Sequence, residues 1–476
     1  MSLIGRTEAA VYNQVIFPEF QGNPLIEALP TKLSSSKVLE KLKMYPPLPT
    51  EFRYTGDEGD REDFLAYIEL LRQPLEIYID VFRAIERAIK QAYSSKNPLS
   101  PTTQHYLHYP IDEPSKVYPT TGQFVSRGRG ITLLGESGVG KTSMLEQVLL
   151  YFPQVIQHEK YNNEYIGFVN QVVWIKVECP DKSSVRELCQ EILVSLDQVT
   201  GAPATQPASN HSSLMLQIEQ RIKSSHLGIL VIDEMQNICV RRTSGESGLL
   251  KFLKKIVNRL GVPILFCANP EFDDLLVSMP QNARRSENGG AFYMERLAQN
   301  SIGWEAFVSQ LWQLQWTKVK TPLTDSLQRK LYELTVGNVD FACRTYAEAQ
   351  RLVLGTEDES LCEVVLQEAY ERACVQSSRS FDVLNAKEKL KADGAEKNAT
   401  SKKTTVITSQ PFIPSVDRPQ HPEFHDALRN ILNSKQLKEN IKDPDKVQYA
   451  EKTGRPIDYL REKNLLCEEP LTQAFF

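Results

Sequence analysis

An α/β fold, a parallel sheet covered by helices on both faces and followed by a small helical lid, is the class this sequence predicts. Three observations predict it. Apolar runs at Ile131–Leu134, 172–178, Ile229–Ile232 and Pro263–Cys267 alternate with helical segments, which is the pattern of buried parallel strands. The glycine-rich stretch Gly135 to Thr142 follows the first run and precedes an amphipathic segment from Ser143 to Phe152. From about Trp304 onward the apolar period is helical throughout.

The elements follow in order. Residues 1–125 start irregularly, with Asn23 to Pro30 and a second proline cluster at Tyr45 to Pro49. A helical segment from about Asp60 to Ser94 carries Phe64, Ile68, Leu71, Leu75, Ile79, Phe82, Ile85 and Ile89 on one apolar face, and Pro74 should kink or split it. This region reads equally as a packed accessory domain or as a docking surface. The nucleotide core spans 126–303, with helices expected at about Ser183–Gln198, Leu214–Ser224 and Ser247–Leu260. Stretches 157–170 and 200–213 read as loops. A helical lid at 304–378 carries the stripes Phe307, Leu311, Leu314 and Leu327, Leu331, Leu334, Val336. Residues 379–420 are polar, lysine-bearing and proline-bearing, which suits a linker, and 421–476 form a C-terminal module.

Gly135, Glu136, Ser137, Gly138, Val139, Gly140, Lys141 and Thr142 make a full G-x-x-x-x-G-K-T phosphate loop, with Ser143 opening the helix behind it. Glycines let the backbone turn its N–H groups toward phosphate oxygens, and the helix N-terminus adds its dipole. Lys141 can reach the β- and γ-phosphates, and the Thr142 hydroxyl can ligate Mg²⁺. The strand Ile229–Ile232 delivers Asp233 and Glu234 to its C-terminal end, where ligands bind in open α/β sheets. Asp233 suits Mg²⁺, directly or through water; Glu234 suits a base for the attacking water. Asn269 closes the next strand and can hydrogen-bond the γ-phosphate or that water. Arg284 and Arg285 come shortly after, placed for an arginine inserted across a subunit boundary, with Arg296 beyond them. Arg344 opens a lid helix and either reaches the γ-phosphate or pairs with Glu348 one turn on. No Asn-Lys-x-Asp guanine-reading motif occurs, so ATP is the expected nucleotide.

Composition narrows the class. A net charge of −5 excludes a uniformly basic nucleic-acid binder while leaving local patches open. No apolar run approaches the ~18 residues that span a bilayer, and no signal-peptide core follows the N-terminus, so a cytoplasmic protein without membrane contact is expected. Eight scattered cysteines, none in a C-x-x-C pair, read as reduced core residues. His421 and His425, without a cysteine pair, read as loop rather than metal ligands.

The order of these parts resembles an AAA+ ATPase, and more closely the TnsC/TniB family, the ATP-dependent regulators of Tn-type transposons. The resemblance covers roughly 126–378 and rests on Gly130 to Thr142, Leu230 to Asn237, Val262 to Pro270, Met294 to Leu297 and Thr335 to Arg344, with Asn23 to Pro30 as an outlying element. Met235 and Gln236 stand where many TniB-like relatives carry histidine shortly after the acidic pair. The resemblance implies a homo-oligomeric ring or filament around double-stranded DNA. By arrangement, 1–125 would meet a TnsD/TniQ-type target selector and 421–476 the TnsA/TnsB transposase. Phosphate contacts in such a pore need basic side chains without base readout; Lys182, Arg241 and Arg242 are the best placed. Other AAA+ DNA ATPases, such as an initiator or helicase loader, and a signalling ATPase that oligomerises without DNA are the alternatives.

Overall fold

Five strands form the central sheet in the computed structural model, in the order β5-β6-β7-β2-β8, all parallel. The structure describes residues 4–48, 56–108, 125–180, 185–238, 252–253, 255–270, 272 and 289–374. The chain divides into Met1–Lys389 and Leu390–Phe476, and every described residue lies in the first unit. The strands are β2 (Gly130–Gly135), β5 (Trp174–Glu178), β6 (Ile229–Asp233), β7 (Ile264–Ala268) and β8 (Ala291–Met294). β2, β6 and β7 are buried along their whole length, which is why they read as unbroken apolar runs.

Alternate residues of each strand feed different cores. Ile131, Leu133 and Val231 pack against α1 (Pro24–Glu27), α2 (Ser35–Leu42), α4 (Glu76–Ser94) and α6 (Lys141–Tyr151). Leu134, Leu230 and Ile232 pack on the opposite face against α7 (Val185–Thr200), α8 (His211–Ser224) and the helical residues 255–259.

Two sequence expectations need correction. Residues 157–170 are not a loop. They lie in a hairpin of β3 (Val155–Tyr161) and β4 (Glu164–Val172), joined by Asn162 and Asn163 at φ +50 and +66. Consecutive left-handed asparagines suit the tight turn that matches strand twist. β1 (Thr7–Ala9) adds a parallel third strand on β3. The segment Asp60–Ser94 is not one helix face on one core. It divides into α3 (Glu58–Asp63), a 3₁₀ turn over Phe64–Leu70, an extended stretch around Pro74, and α4. Leu65, Ile68 and Leu71 belong to the lid core, whereas Tyr78, Phe82, Ile85 and Ile89 belong to the sheet core. Pro74 lacks the N–H a continuing helix needs, and the chain crosses between the two cores there.

Four helices build the lid: α9 (Ile302–Leu311), α10 (Asp325–Thr335), α11 (Val339–Val353) and α12 (Glu363–Ala373). Ser301, Thr324 and Asn338 cap α9, α10 and α11 by accepting from the backbone N–H three residues on. α5 (Pro101–His108) follows the other N-terminal helices. α3 is joined to the lid by a buried ion pair: Arg61 is bidentate on Glu359, at 2.5 and 2.8 Å, with both side chains at most 2% exposed.

Candidate nucleotide site

β2 ends at Gly135, where a Cβ would meet the Met294 carbonyl at 2.4 Å; only glycine lets β8 approach that closely. Gly138 and Gly140 take φ +81 and +97, and the chain then enters α6 at Lys141, with Ser143 in the first turn. Val139 is buried beneath the loop. The Lys141 ammonium donates to the carbonyls of Gly135 (2.6 Å) and Glu136 (2.8 Å) and to Asn269 Oδ1 (3.1 Å). Burial pushes Lys141 down from its ordinary range, against the pull of Cys267, Glu234, Asp233 and Glu136.

The Thr142 hydroxyl donates to Asp233 Oδ2 at 3.0 Å. Asp233 Oδ1 accepts the Glu234 backbone N–H, also at 3.0 Å. Glu234 sits at φ +57, outside the strand's geometry, and its carboxylate accepts from the Gln236 amide. Gln236 Oε1 in turn accepts the Asn269 backbone N–H at 3.1 Å, so Asn269 lies beside Glu234 through a shared neighbour. β6 and β7 are adjacent in the sheet, which brings the two ends together. Hydroxyl and carboxylate oxygens at hydrogen-bond distance form a hard-oxygen donor set, the kind Mg²⁺ takes. Among the described residues no cluster of three or more histidine, cysteine or acidic side chains is arranged for another metal.

The lid rests on the phosphate loop. Asn338 Nδ2 donates to the Ser137 carbonyl at 3.0 Å, and the Asp340 backbone N–H donates to the Gly138 carbonyl at 3.0 Å. Gly337 is left-handed at φ +73, and a Cβ there would strike the Leu297 carbonyl at 1.9 Å. Arg344 faces the same cavity, with its guanidinium on Asp340 at 2.5 Å and 5.1 Å from the Phe341 ring centroid. The alternative pairing of Arg344 with Glu348 does not form; Glu348 takes Arg351 instead, at 2.5 Å. Arg296 pairs with Glu136 at 2.5 Å and ties the chain after β8 to the loop.

The cavity is about 850 Å³, within the usual range for small-ligand sites. Residues Gly138 to Ser143, Glu234 and Asn269 line one side, and α11 another. Residues between Glu62 and Tyr78, with Met294, Leu297 and Phe307, line the remainder, a contribution not legible in the sequence. Gln236 and Asn338 were also missed. The Gly337-Asn338 step, a C-terminal glycine followed by a capping asparagine, was the one local signal for them. Lys182, Arg241, Arg242, Arg284 and Arg285 lie outside the described residues, as do the linker and the C-terminal module.

A sequence model of the AAA domain matches residues 125–276, the stretch that carries the loop, both acidic residues and Asn269. That stretch is similar to an AAA domain. The five parallel strands with flanking helices are a P-loop fold of the AAA+ kind, and ATP binding is the activity the match supports. No curated protein matches the chain. Solved structures with a similar arrangement include the ORC2 protein of Aeropyrum pernix, in its ADPNP–ADP and ADP forms. Each is 13% identical with a TM-score of 0.34, over 52% of this chain and 63% of that one. A Walker-type ATPase of Pyrococcus abyssi is 14% identical with a TM-score of 0.35, over 71% of this chain and 86% of that one. The chain thus spans less than two thirds of the length of the ORC2 protein. Among the described residues no helix is long and apolar enough to cross a membrane.

Proposed function

We propose that this protein is an Mg²⁺-dependent ATPase that assembles on double-stranded DNA as a ring or filament and couples a TnsD/TniQ-type target selector to a TnsA/TnsB transposase. The ATPase part is carried by the convergence of Lys141, Thr142, Glu234 and Asn269 on one cavity, with Asp233 held against Thr142 and the lid resting on the phosphate loop at Asn338. The transposition part is supported by the TnsC-like motifs in the sequence.

In this reading Lys141 holds the β- and γ-phosphates, and the loop N–H groups hold the remaining oxygens. Thr142 and Asp233 would hold Mg²⁺, which would supply positive charge beside the phosphate oxygens. Glu234 takes a proton from the attacking water while Asn269 orients it. Arg344 reaches the γ-phosphate from the lid. Arg284 or Arg285 of a neighbouring subunit completes the site, so hydrolysis waits on assembly. Lys182, Arg241 and Arg242 face DNA phosphates.

Sedimentation and negative-stain imaging with a non-hydrolysable ATP analogue, with and without duplex DNA, test the reading. Rings or filaments that need both ligands are expected, and Glu234→Gln should hold them together in ATP. Removing 421–476 should abolish transposase binding and spare assembly. Assembly indifferent to DNA would transfer the protein to the class of signalling ATPases. DNA-dependent assembly without transposase binding would leave an initiator-like or loader-like ATPase.

A further inference from the structure

The two oxygens of Asp233 have different partners. Oδ1 accepts the Glu234 backbone N–H at 3.0 Å. Oδ2, the oxygen that accepts from Thr142, also lies 3.3 Å from the Lys176 ammonium. That ammonium is 3.3 Å from Glu146 Oε1 as well. Lys176 stands on β5 opposite Val231, two residues before Asp233, so both side chains leave the same face of the sheet. Glu146 follows Thr142 by one turn of α6 and shares its face. Two adjacent strands and the phosphate-loop helix thus place one ammonium between two carboxylates. The Lys176 and Asp233 side chains are 10% and 4% exposed.

We propose that Lys176 is the counter-cation of the magnesium site: it neutralises Asp233 in the metal-free protein, competes with the metal for Oδ2, and thereby sets the Mg²⁺ concentration at which nucleotide is held. The inference rests on the Mg–ATP reading above. A carboxylate so far from water needs a compensating positive charge, and the ammonium supplies it before any metal binds. A divalent ion approaching Oδ2 must displace that contact and then tolerate a positive charge beside the same oxygen. Both effects raise the metal requirement. Glu146 acts in the opposite direction, because it gives the displaced ammonium a partner. A lysine that merely ties β5 to α6 would have none of these consequences.

The test uses full-length protein, a fluorescent ATP analogue at fixed concentration, and Mg²⁺ titrated in from EDTA, so that binding rather than turnover is read. Lys176→Met keeps the apolar stem and removes the charge; its Mg²⁺ midpoint should fall about three- to tenfold. Lys176→Arg should stay within about twofold of wild type. Glu146→Gln should move the midpoint upward, since the ammonium then has Asp233 alone. An unchanged or raised midpoint in a folded Lys176→Met overturns the assignment. Should that variant not fold, Glu146→Gln decides: a raised midpoint supports the assignment and an unchanged one overturns it. Wild-type binding that ignores Mg²⁺ overturns the Mg–ATP reading and the assignment with it. That outcome differs from failure of the assignment alone, in which wild type responds to Mg²⁺ and Lys176→Met responds identically.

Discussion

Glu234 occupies a left-handed backbone conformation that a residue with a Cβ adopts at a cost of about 1–3 kcal/mol. Three contacts hold it there: its N–H on Asp233 Oδ1, its carbonyl accepting the Asn237 N–H at 3.0 Å, and its carboxylate on the Gln236 amide. Gln236 is itself fixed by the Asn269 N–H. Gln236 therefore clamps Glu234, the proposed base, to the end of β7 without lining the cavity. Gln236→Ala should lower kcat about tenfold while ATP affinity stays within about twofold, because orientation is lost and binding contacts are not. Steady-state kinetics beside equilibrium nucleotide binding separates the two; a matching loss of affinity would assign Gln236 to the binding surface. Lys141, Thr142, Asp233 and Glu234 were legible in the sequence because each sits in a contiguous motif whose backbone dictates its direction. Gln236 and Lys176 were not, because their roles arise from strand neighbours 33 residues apart in one case and from the β5–β6 register in the other.

At the scale of elements, the tail of α4 presents a buried lysine. Lys96 is 3% exposed, and its ammonium reaches the Leu227 carbonyl at 3.5 Å, a long contact for a charge. Burial pushes Lys96 down to about 7. Below pH 7 the folded protein carries this charge out of water, at full cost. Between pH 7 and the unfolded value near 10.5 the unfolded chain binds the extra proton, so the fold gains stability as pH rises. Lys96→Met should raise unfolding free energy at pH 6 on the order of 2–4 kcal/mol, and by much less at pH 9.5. Urea unfolding at the two pH values checks this; an equal gain at both would point to packing rather than charge. The joint between α3 and the lid works the other way. Burial alone would raise Glu359, but hydrogen bonds from Arg61 and from the Lys318 and Gly355 N–H groups outweigh it and hold the carboxyl at about 2. A lowered carboxyl stabilises the fold above its unfolded value near 4.5, and that contribution is lost as pH falls toward 2. Arg61→Met leaves the carboxylate buried without its cation and should cost about 3–5 kcal/mol at pH 7, with the deficit shrinking in acid. The sequence showed neither feature, nor the hairpin at β3–β4. The hairpin's polar alternation resembles loop composition, and its partner β1 lies some 148 residues away in the chain. The parallel strands were legible because burial on both faces leaves an unbroken apolar run.

Across the whole described fold, core and lid are joined at the nucleotide cavity itself. The chain crosses from the lid core to the sheet core over Leu71 to Leu75, where Arg72 makes a two-way backbone bridge with Met44. It crosses back after β8, where the Leu297 N–H donates to the Gly337 carbonyl at 3.0 Å. Leu71, Leu75 and Leu297 all line the cavity, and the N-terminus of α11 already touches the phosphate loop. A ligand that fills the cavity therefore contacts the sheet core, the lid and both of their connections together. Binding energy from one nucleotide is spread over three segments, and their local opening becomes a shared event. In hydrogen exchange, ATP with Mg²⁺ should protect 71–75, 135–142 and 337–344 in parallel, each by about tenfold or more in exchange rate. Lys141→Ala should abolish all three protections at once. Because α3 is pinned to the lid through Arg61 and Glu359, residues 58–61, which do not line the cavity, should keep their protection in both states. Protection confined to 135–142 would mean that nucleotide is held by the loop alone and that the lid carries no message to the N-terminal helices.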